Sequence, residues 1–413
     1  MSNKYIVVVG GGPAGMMAAI RASQLKQQVT LIERNPSLGK KLLLTGKGRC
    51  NLTNLSSREQ FLERFSANGQ FLRDAFKCFF NQELMEFFTA RDVKLKTEEN
   101  RKVFPVSERA EEILSALVKE LRAQGVKVLY QARAQEIILK NRSVEKIQLQ
   151  DKTVISCDAV ILATGGLSYA ATGSTGDGLK IAEKLGHQII TPRPGLVSLK
   201  TREKYPRLLE GLALRGVRVI FGDGRKKVVS NLGDLLFTAE GLSGPLALTF
   251  SGQVADWLGD GKNVYVEIDL LPALPKEETE GRLLKEMQRN PKKTIKNLLK
   301  EIMPLRLVSV FLDSAQVALD KSVSQITQQE RKKIASSLKA LRLTISACAP
   351  MDAAMITRGG VAIKEINPRT MESRLIQGLY FAGELIDMDA DTGGFNLQAA
   401  FSTGYLAGQS AAA

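Results

Sequence analysis

Gly10, Gly12 and Gly15 stand at the G-x-G-x-x-G spacing in Gly10-Gly11-Gly12-Pro13-Ala14-Gly15. That spacing lets a chain turn tightly and bring backbone N–H groups against a pyrophosphate, which then rests on the positive end of the following helix. Glu33 is placed to accept hydrogen bonds from an adenosine ribose, and an acid there disfavours a 2′-phosphate, so NADP is a poor fit to this site. Thr164-Gly165-Gly166 is a second glycine turn able to pass close to the same nucleotide. Asp387, Asp389 and Asp391 have the alternation of a metal loop but lack the later glutamate and the glycine of a calcium site, so no metal is read there. His187 is the single histidine and is read as a surface or packing residue, which leaves little room for histidine-based catalysis.

These residues need a strand, a tight turn and a helix to hold them. Tyr5 to Val9 is a short apolar, β-branched run of the kind that forms a buried parallel strand. A helical pattern follows through Met16, Met17, Ile20 and Leu25, and a second strand, Val29 to Ile32, ends at Glu33. Strand, fingerprint, helix, strand and acid in that order predict nucleotide binding, although FAD and NAD share the motif. Ser107 is read as the cap of a helix through Ala110, Ile113, Leu114, Leu117, Val118 and Leu121, which Gly125 stops. Alternating runs at Val126–Tyr130, Ala134–Leu139, Val144–Leu149 and Thr153–Ile155 predict a β-meander, and Ala159–Ala163 a buried strand entering Thr164. Thr191-Pro192-Arg193-Pro194-Gly195 reads as a boundary. Strands are expected at Val217–Phe221, Leu235–Thr238 and Val264–Ile268, and helices after Pro272 and Pro275.

The 413 residues suffice for two or three domains, and 44% apolar, 24% charged and 6% aromatic residues are ordinary for a globular protein. Cys50, Cys78, Cys157 and Cys348 form no C-x-x-C pair, which argues against a zinc knuckle or a disulfide reductase. Lys4 ahead of an apolar run resembles a signal peptide until Gly10 to Pro13 interrupt it, and no apolar stretch is long enough to span a membrane. A cytoplasmic protein without a membrane partner is the expectation. The formal charge of +15 fits an anionic cofactor, a nucleic acid or mere solubility. Between Lys276 and Arg342 there are 15 basic and 8 acidic residues with Phe311 the only aromatic, which reads as a solvated helical face; no nucleic-acid partner is expected.

The chain also resembles, end to end, the two-dinucleotide-binding-domain flavoproteins and, within them, the BaiN-like family of aminoacetone-oxidase-type FAD-binding enzymes. The resemblance is carried by Gly10 to Gly15 with Glu33, by Gly39-Lys40-Lys41, by Gly46 to Asn54 and by Arg101 to Pro105. It continues through Leu236-Phe237-Thr238, Gly241 to Pro245, Gly359 to Val361, Asn367 to Ser373, Gly378 to Asp387 and Thr392 to Ala400. Lys47 departs from it, since a small residue is expected there.

The resemblance implies an α/β fold: a discontinuous Rossmann-type FAD-binding domain (residues 1–191 and 356–413) carrying an inserted β-barrel-like domain (192–272, with a return strand at 342–355) and a small helical insert (273–341). It implies FAD as cofactor, held by Gly10, Gly12, Pro13, Ala14, Gly15, Glu33, Arg34, Lys41, Gly46, Arg49, Cys50, Asn51, Ala134, Ala163, Thr164, Gly165, Gly166, Gly383, Glu384, Gly394, Asn396, Leu397, Gln398 and Ala399. Arg49 is expected near the pyrophosphate and ribityl chain. Cys50 is read as a small buried residue rather than a nucleophile. The amino end of the last helix, at Asn396, Leu397 and Gln398, is expected to stabilise negative charge on the reduced flavin, with Gly393 and Gly394 allowing close approach to the ring.

The implied activity is an FAD-dependent oxidoreductase that moves hydride or electrons, by way of flavin N5, between a nicotinamide or other donor and a small organic substrate. NAD(P)H would act as a diffusible donor, since no second glycine fingerprint exists. Arg101 and Lys364 are anion contacts only by analogy, and no catalytic acid or base stands out. The alternatives are a flavin-dependent RNA-modifying enzyme and a non-catalytic flavin-binding redox regulator.

Overall fold

The computed structural model describes residues 3–66 and 68–413, which divide into two compact units. One runs to Gly195 and resumes at Met351–Ala413; the other is Leu196–Pro350. The first opens with β1 (Tyr5–Val9), buried from Ile6 onward as its β-branched run requires. Pro13 then starts α1 (Pro13–Gln24) at a position that needs no N–H donor. After β2 (Gln28–Ile32) come α2 (Ala110–Ala123), β3 (Lys127–Leu129), β4 (Ala159–Leu162), α3 (Asp177–Lys184) and β5 (Ile189–Gly195).

Two sequence expectations change here. Arg109, not Ser107, is the N-cap of α2; the Ser107 hydroxyl donates to Glu112, and Glu111 and Glu112 supply the negative charge that a first turn favours. The run at Val126–Tyr130 does not open the meander. Its centre is β3, whose Lys127, Val128 and Leu129 pair in parallel with Thr30, Leu31 and Ile32 of β2. The meander is the three strands Ala134–Lys140, Ser143–Leu149 and Val154–Ser156.

In the second unit, β6 (Leu199–Thr201), β7 (Ala213–Gly222), β8 (Lys227–Val229), β9 (Gly233–Thr238) and β10 (Gly241–Ser243) lead to α4 (Gly244–Gly259) and β11 (Val264–Asp269). Helices α5 (Lys276–Arg289), α6 (Ile295–Leu299), α7 (Leu305–Ser314) and α8 (Gln328–Lys339) follow, then β12 (Leu341–Cys348). The strands form an antiparallel sheet in the order β8-β7-β9-β10-β6-β12-β11, and β7 also pairs with β11, which closes it into a barrel. Helices and barrel share one apolar core: Leu283, Ile295, Phe311 and Ile334 pack in the same cluster as Val219, Phe221, Val266 and Leu343.

The chain then returns to the first unit. β13 (Ile356–Val361) pairs antiparallel with β5, so the stretch Thr191–Gly195, expected to be a boundary, is strand and ends where the first unit's opening segment ends, at Gly195. Its two prolines are tolerated because the sheet has only these two strands, and the register slips between Ile190 and Arg193. β14 (Leu379–Phe381) extends the main sheet, whose order is β14-β4-β1-β2-β3 with all strands parallel. The final helix, α9 (Phe395–Ala412), lies directly on α1. Gly404 and Gly408 permit this: a Cβ on either would stand 2.2 or 2.3 Å from the carbonyl oxygens of Ala14 and Ala18.

Candidate cofactor-binding site

The amino end of α1, the carboxyl ends of β1, β2 and β4, and the start of α9 converge on a cleft of about 1370 Å³, open solvent at its mouth included. Ligands bind at this end of a parallel sheet because the strands splay there and helix amino ends point into the gap. Gly10 adopts φ +108°, and a Cβ on it would meet the Ala163 carbonyl oxygen at 2.5 Å, so the turn passes within contact of β4. Gly12, the N-cap of α1, faces open space, no side chain caps the helix, and its first turn has no acid. The first N–H groups of α1 are therefore available to an anion.

At one end of the cleft the Glu33 carboxylate is buried. Oε2 accepts from the Gly11 N–H at 2.8 Å, while Oε1 accepts from the Asn35 N–H and Nδ2, both at 2.7 Å. A carboxylate has about four acceptor positions, so one remains for a ribose hydroxyl. Asp177 beside it receives two bonds of 2.7 Å from the Arg133 guanidinium and a 3.1 Å contact from Arg34, and those cations, Arg133 first, hold its carboxyl below the usual range. Midway along the wall, Lys41 Nζ donates to Ser168 Oγ at 2.7 Å and to Glu384 Oε2 at 2.6 Å. Glu384 Oε1 accepts from Ser168 Oγ at 2.8 Å and from the Thr357 N–H at 2.9 Å. Thr164 lines the same wall, but its Oγ1 is buried against Gly178, whose Cβ position lies 2.1 Å from it, and has no hydrogen-bond partner.

Sixteen of the residues expected from sequence line this cleft: Gly10, Gly12, Pro13, Ala14, Glu33, Arg34, Lys41, Ala134, Ala163, Thr164, Gly165, Gly383, Glu384, Asn396, Leu397 and Ala399. Eight do not. Gly15 and Gly166 are packing positions, their Cβ sites 1.9 Å from the Gly10 oxygen and 2.3 Å from Thr357 Oγ1. Gly46, Arg49, Cys50 and Asn51 belong to a loop whose left-handed residues (Gly46, Lys47, Gly48 and Cys50) carry it off the wall after Thr45. Arg49 binds Glu98, lies 3.6 Å from Glu108 and stacks 4.1 Å over the Phe104 ring, so its charge is engaged away from the cleft. Cys50 is buried, and burial pushes its thiol up to about 12. Gln398 is locked in the core between Thr53 Oγ1 (2.6 Å) and Ser402 Oγ (3.0 Å). Gly394, at φ +94°, makes room for the Thr53 carbonyl, 2.5 Å from its Cβ site.

Asn396 lines the cleft, but its side chain bonds Ala390, donating to O at 2.8 Å and accepting from N at 3.0 Å; what α9 offers the cleft is its uncapped amino end. Arg101 and Lys364 lie outside the cleft wall. Asp387 takes 2.8 and 3.1 Å contacts from Asn68 through its carbonyl and carboxylate, Asp391 faces Arg64 at 3.5 Å and Asp389 faces Arg358 at 3.6 Å. Sequence reasoning missed Asn35, Arg133, Thr172, Gly173, Ser174 and Asp177. They reach the Glu33 end of the cleft through pairings over more than a hundred residues, such as Asn35 Nδ2 to the Thr172 oxygen at 2.9 Å, and no local spacing announces them.

Residues 4–410 match the model of the HI0933-like protein Rossmann domain, nearly the whole chain. The chain belongs to the HI0933-like family. Among curated members it is 32% identical over 409 residues to the 3-dehydro-bile acid delta(4,6)-reductase of Clostridium scindens, with 98% of each chain covered. It is 30% identical to the ribosomal RNA dihydrouridine synthases of Haemophilus influenzae (97% of this chain and 96% of that one) and Escherichia coli (98% and 96%). Among solved structures, 3-ketosteroid Δ1-dehydrogenase from Sterolibacterium denitrificans superposes with a TM-score of 0.53 at 14% identity, covering 100% of both chains. The 3-ketosteroid Δ4-(5α)-dehydrogenase from Rhodococcus jostii gives 0.50 at 16%, covering 100% of this chain and 98% of that one. At such identities they show the fold alone: a Rossmann-type α/β flavoenzyme fold with inserted antiparallel sheets. The HI0933-like relatives also withdraw support from the expectation of no nucleic-acid partner, two of them being named for ribosomal RNA. Among the described residues no helix is long and apolar enough to cross a membrane.

Proposed function

We propose that this protein is an FAD-dependent reductase that saturates a carbon–carbon double bond conjugated to a carbonyl. The observation that carries the reading is the cleft itself: an uncapped α1 amino end between a buried ribose-type carboxylate and the uncapped amino end of α9, in a chain that aligns end to end with a bile-acid reductase and dihydrouridine synthases. Reducing the conjugated bond of a ketosteroid and making dihydrouridine from uridine are the same chemistry. A hydride adds to the carbon distant from the carbonyl and a proton to the carbon beside it, with NAD(P)H as the source of the electron pair. FAD, when bound, supplies the two-electron carrier for that transfer.

The chain's own groups would bind and orient. The α1 amides and Gly10 to Ala14 would hold the pyrophosphate, Glu33 the adenosine ribose, and Glu384, fixed by Lys41, Ser168 and Thr357, the ribityl hydroxyls. The α9 amino end would favour negative charge on the ring. Anaerobic stopped-flow of the FAD-loaded protein with NADH or NADPH tests the reading: rapid loss of the oxidised-flavin absorbance is expected. No loss with either donor, while dithionite still reduces the flavin, would remove the nicotinamide-driven reductase from consideration.

A second reading is favoured by charge. Between Leu196 and Pro350 there are 25 basic and 17 acidic residues, a surplus of 8 within a total of +15, which supports a uridine in RNA over a free steroid as substrate. Re-oxidation of the reduced flavin by unmodified ribosomal RNA and not by a Δ4-3-ketosteroid is the expected result; the reverse preference would overturn it.

A further inference from the structure

Of the 15 basic residues between Lys276 and Arg342, six face a carboxylate of the same unit. Lys293 pairs with Glu301 at 2.8 Å, Arg331 with Glu280 at 3.1 Å, and Lys333 donates to Gln316 at 3.1 Å. The barrel wall is different. On β7, Val217, Val219 and Phe221 point into the core, so Arg218 falls on the outer side, and Arg215 is exposed at the register shift between Leu214 and Val217. The β7–β8 turn adds Arg225 and Lys226, and β8 adds Lys227, in register with Gly222. None of these five cations pairs with a carboxylate among the described residues. Of the acids on this side of the barrel, Asp223 is matched by Lys262 (3.3 Å), Glu267 by Arg342 (3.7 Å) and Asp269 by Lys339 (2.7 Å), while Asp234 on β9 accepts from the Gly216 N–H at 3.3 Å.

An edge strand gains from a lysine that blocks pairing with another chain, and Lys227 on β8 meets that need. Arg215 and Arg218 do not, because β7 is an interior strand flanked by β8, β9 and β11. At a strand rise of about 3.3 Å per residue the stripe runs for roughly 20 Å from Arg215 to the turn. That is a line of charge on a convex wall, suited to a polyanion rather than to one phosphate. Tyr265, the aromatic beneath it, is covered by Arg342 at 3.8 Å and is not offered for base stacking. Such a surface grips a backbone and reads no bases.

We propose that the outer wall formed by β7 and β8 docks the phosphodiester backbone of the RNA whose uridine the flavin site reduces. The inference rests on the RNA reading above. The test is filter binding of the full-length, FAD-loaded protein to protein-free ribosomal RNA transcribed in vitro, at salt between about 50 and 200 mM. The variant is Arg225→Gln/Lys226→Gln/Lys227→Gln, and the control Lys292→Gln/Lys296→Gln/Lys300→Gln removes the same charge from the helices. Three lost phosphate contacts at about 0.7 each lower the log–log salt slope by roughly 2, with affinity at least about tenfold weaker near physiological salt. The control is expected to keep the wild-type slope, and all three proteins the same flavin spectrum and Trp257 fluorescence. An unchanged slope in the wall variant, or an equal fall in the control, overturns the docking surface and leaves RNA as substrate standing. Wild-type protein with no salt-sensitive binding overturns the RNA reading and the surface with it.

Discussion

The same substitution, glycine to alanine, should act with opposite sign in two helices of this chain. Gly281 lies inside α5, exposed, with nothing within 4 Å of its Cβ position. Alanine there gains only helix propensity, about 1 kcal/mol. Gly404 lies inside α9, where the new Cβ would stand 2.2 Å from the Ala14 carbonyl oxygen and 2.9 Å from its carbon. Both of those are backbone atoms of α1, which cannot swing aside as a side chain would. Overpacking costs about 1–3 kcal/mol, and a backbone contact falls at the upper end, so after the propensity gain Gly404→Ala should lose about 2 kcal/mol. The sole tryptophan, Trp257, is buried in α4 of the second unit, so its fluorescence follows the unit that holds Gly281. Thermal melts by that signal should rise by roughly 2–4 °C in Gly281→Ala. Melts by circular dichroism and by flavin release should fall several degrees in Gly404→Ala, which forces α1 and its cleft-facing end away from α9. A Gly404→Ala protein that melts at or above the wild type would refute the packing of α9 on α1.

Other outcomes follow from the site. Arg49→Ala should leave FAD affinity within about twofold, whereas Glu33→Gln, losing charged hydrogen bonds of about 1.5–3 kcal/mol, should weaken it at least about tenfold in a fluorescence titration. In the native protein Cys78, exposed, should react with a thiol reagent, while Cys50 and Cys157, both pushed by burial up to about 12, stay silent until the chain unfolds. Burial lowers the His187 pKa, so below about pH 6.5 the unfolded chain takes up a proton that the folded chain resists. Stability should therefore fall as pH drops from that value toward the folded one, and His187→Asn should flatten the melting temperature over the same window.

The parallel sheet was legible because buried parallel strands are written as continuous β-branched runs, as in Ile6 to Val9 and Ala159 to Leu162. The glycine turn that opens α1 was legible for a related reason: Gly10 to Gly15 directly after a buried strand mark a tight turn into a helix. The short run around Val128 was not, since alternation marks a strand without naming its neighbour. The partners of Arg49 were not legible, because guanidinium chemistry suits phosphate and carboxylate equally and only the folded chain brings Glu98 and Glu108 beside it. Gly394 and Gln398 show the limit of reading a glycine or an amide beside a cofactor motif, for both serve the packing of α9 against Thr53.

The return of the chain to its first unit has a consequence for synthesis. All of Leu196–Pro350 is synthesised before β14 and α9, so the barrel and its helices are complete in sequence while the cleft still lacks the wall that α9 supplies. The apolar side of α1, later covered by α9, must wait through that interval. The cleft is therefore whole only once the last helix has been made and has settled on α1.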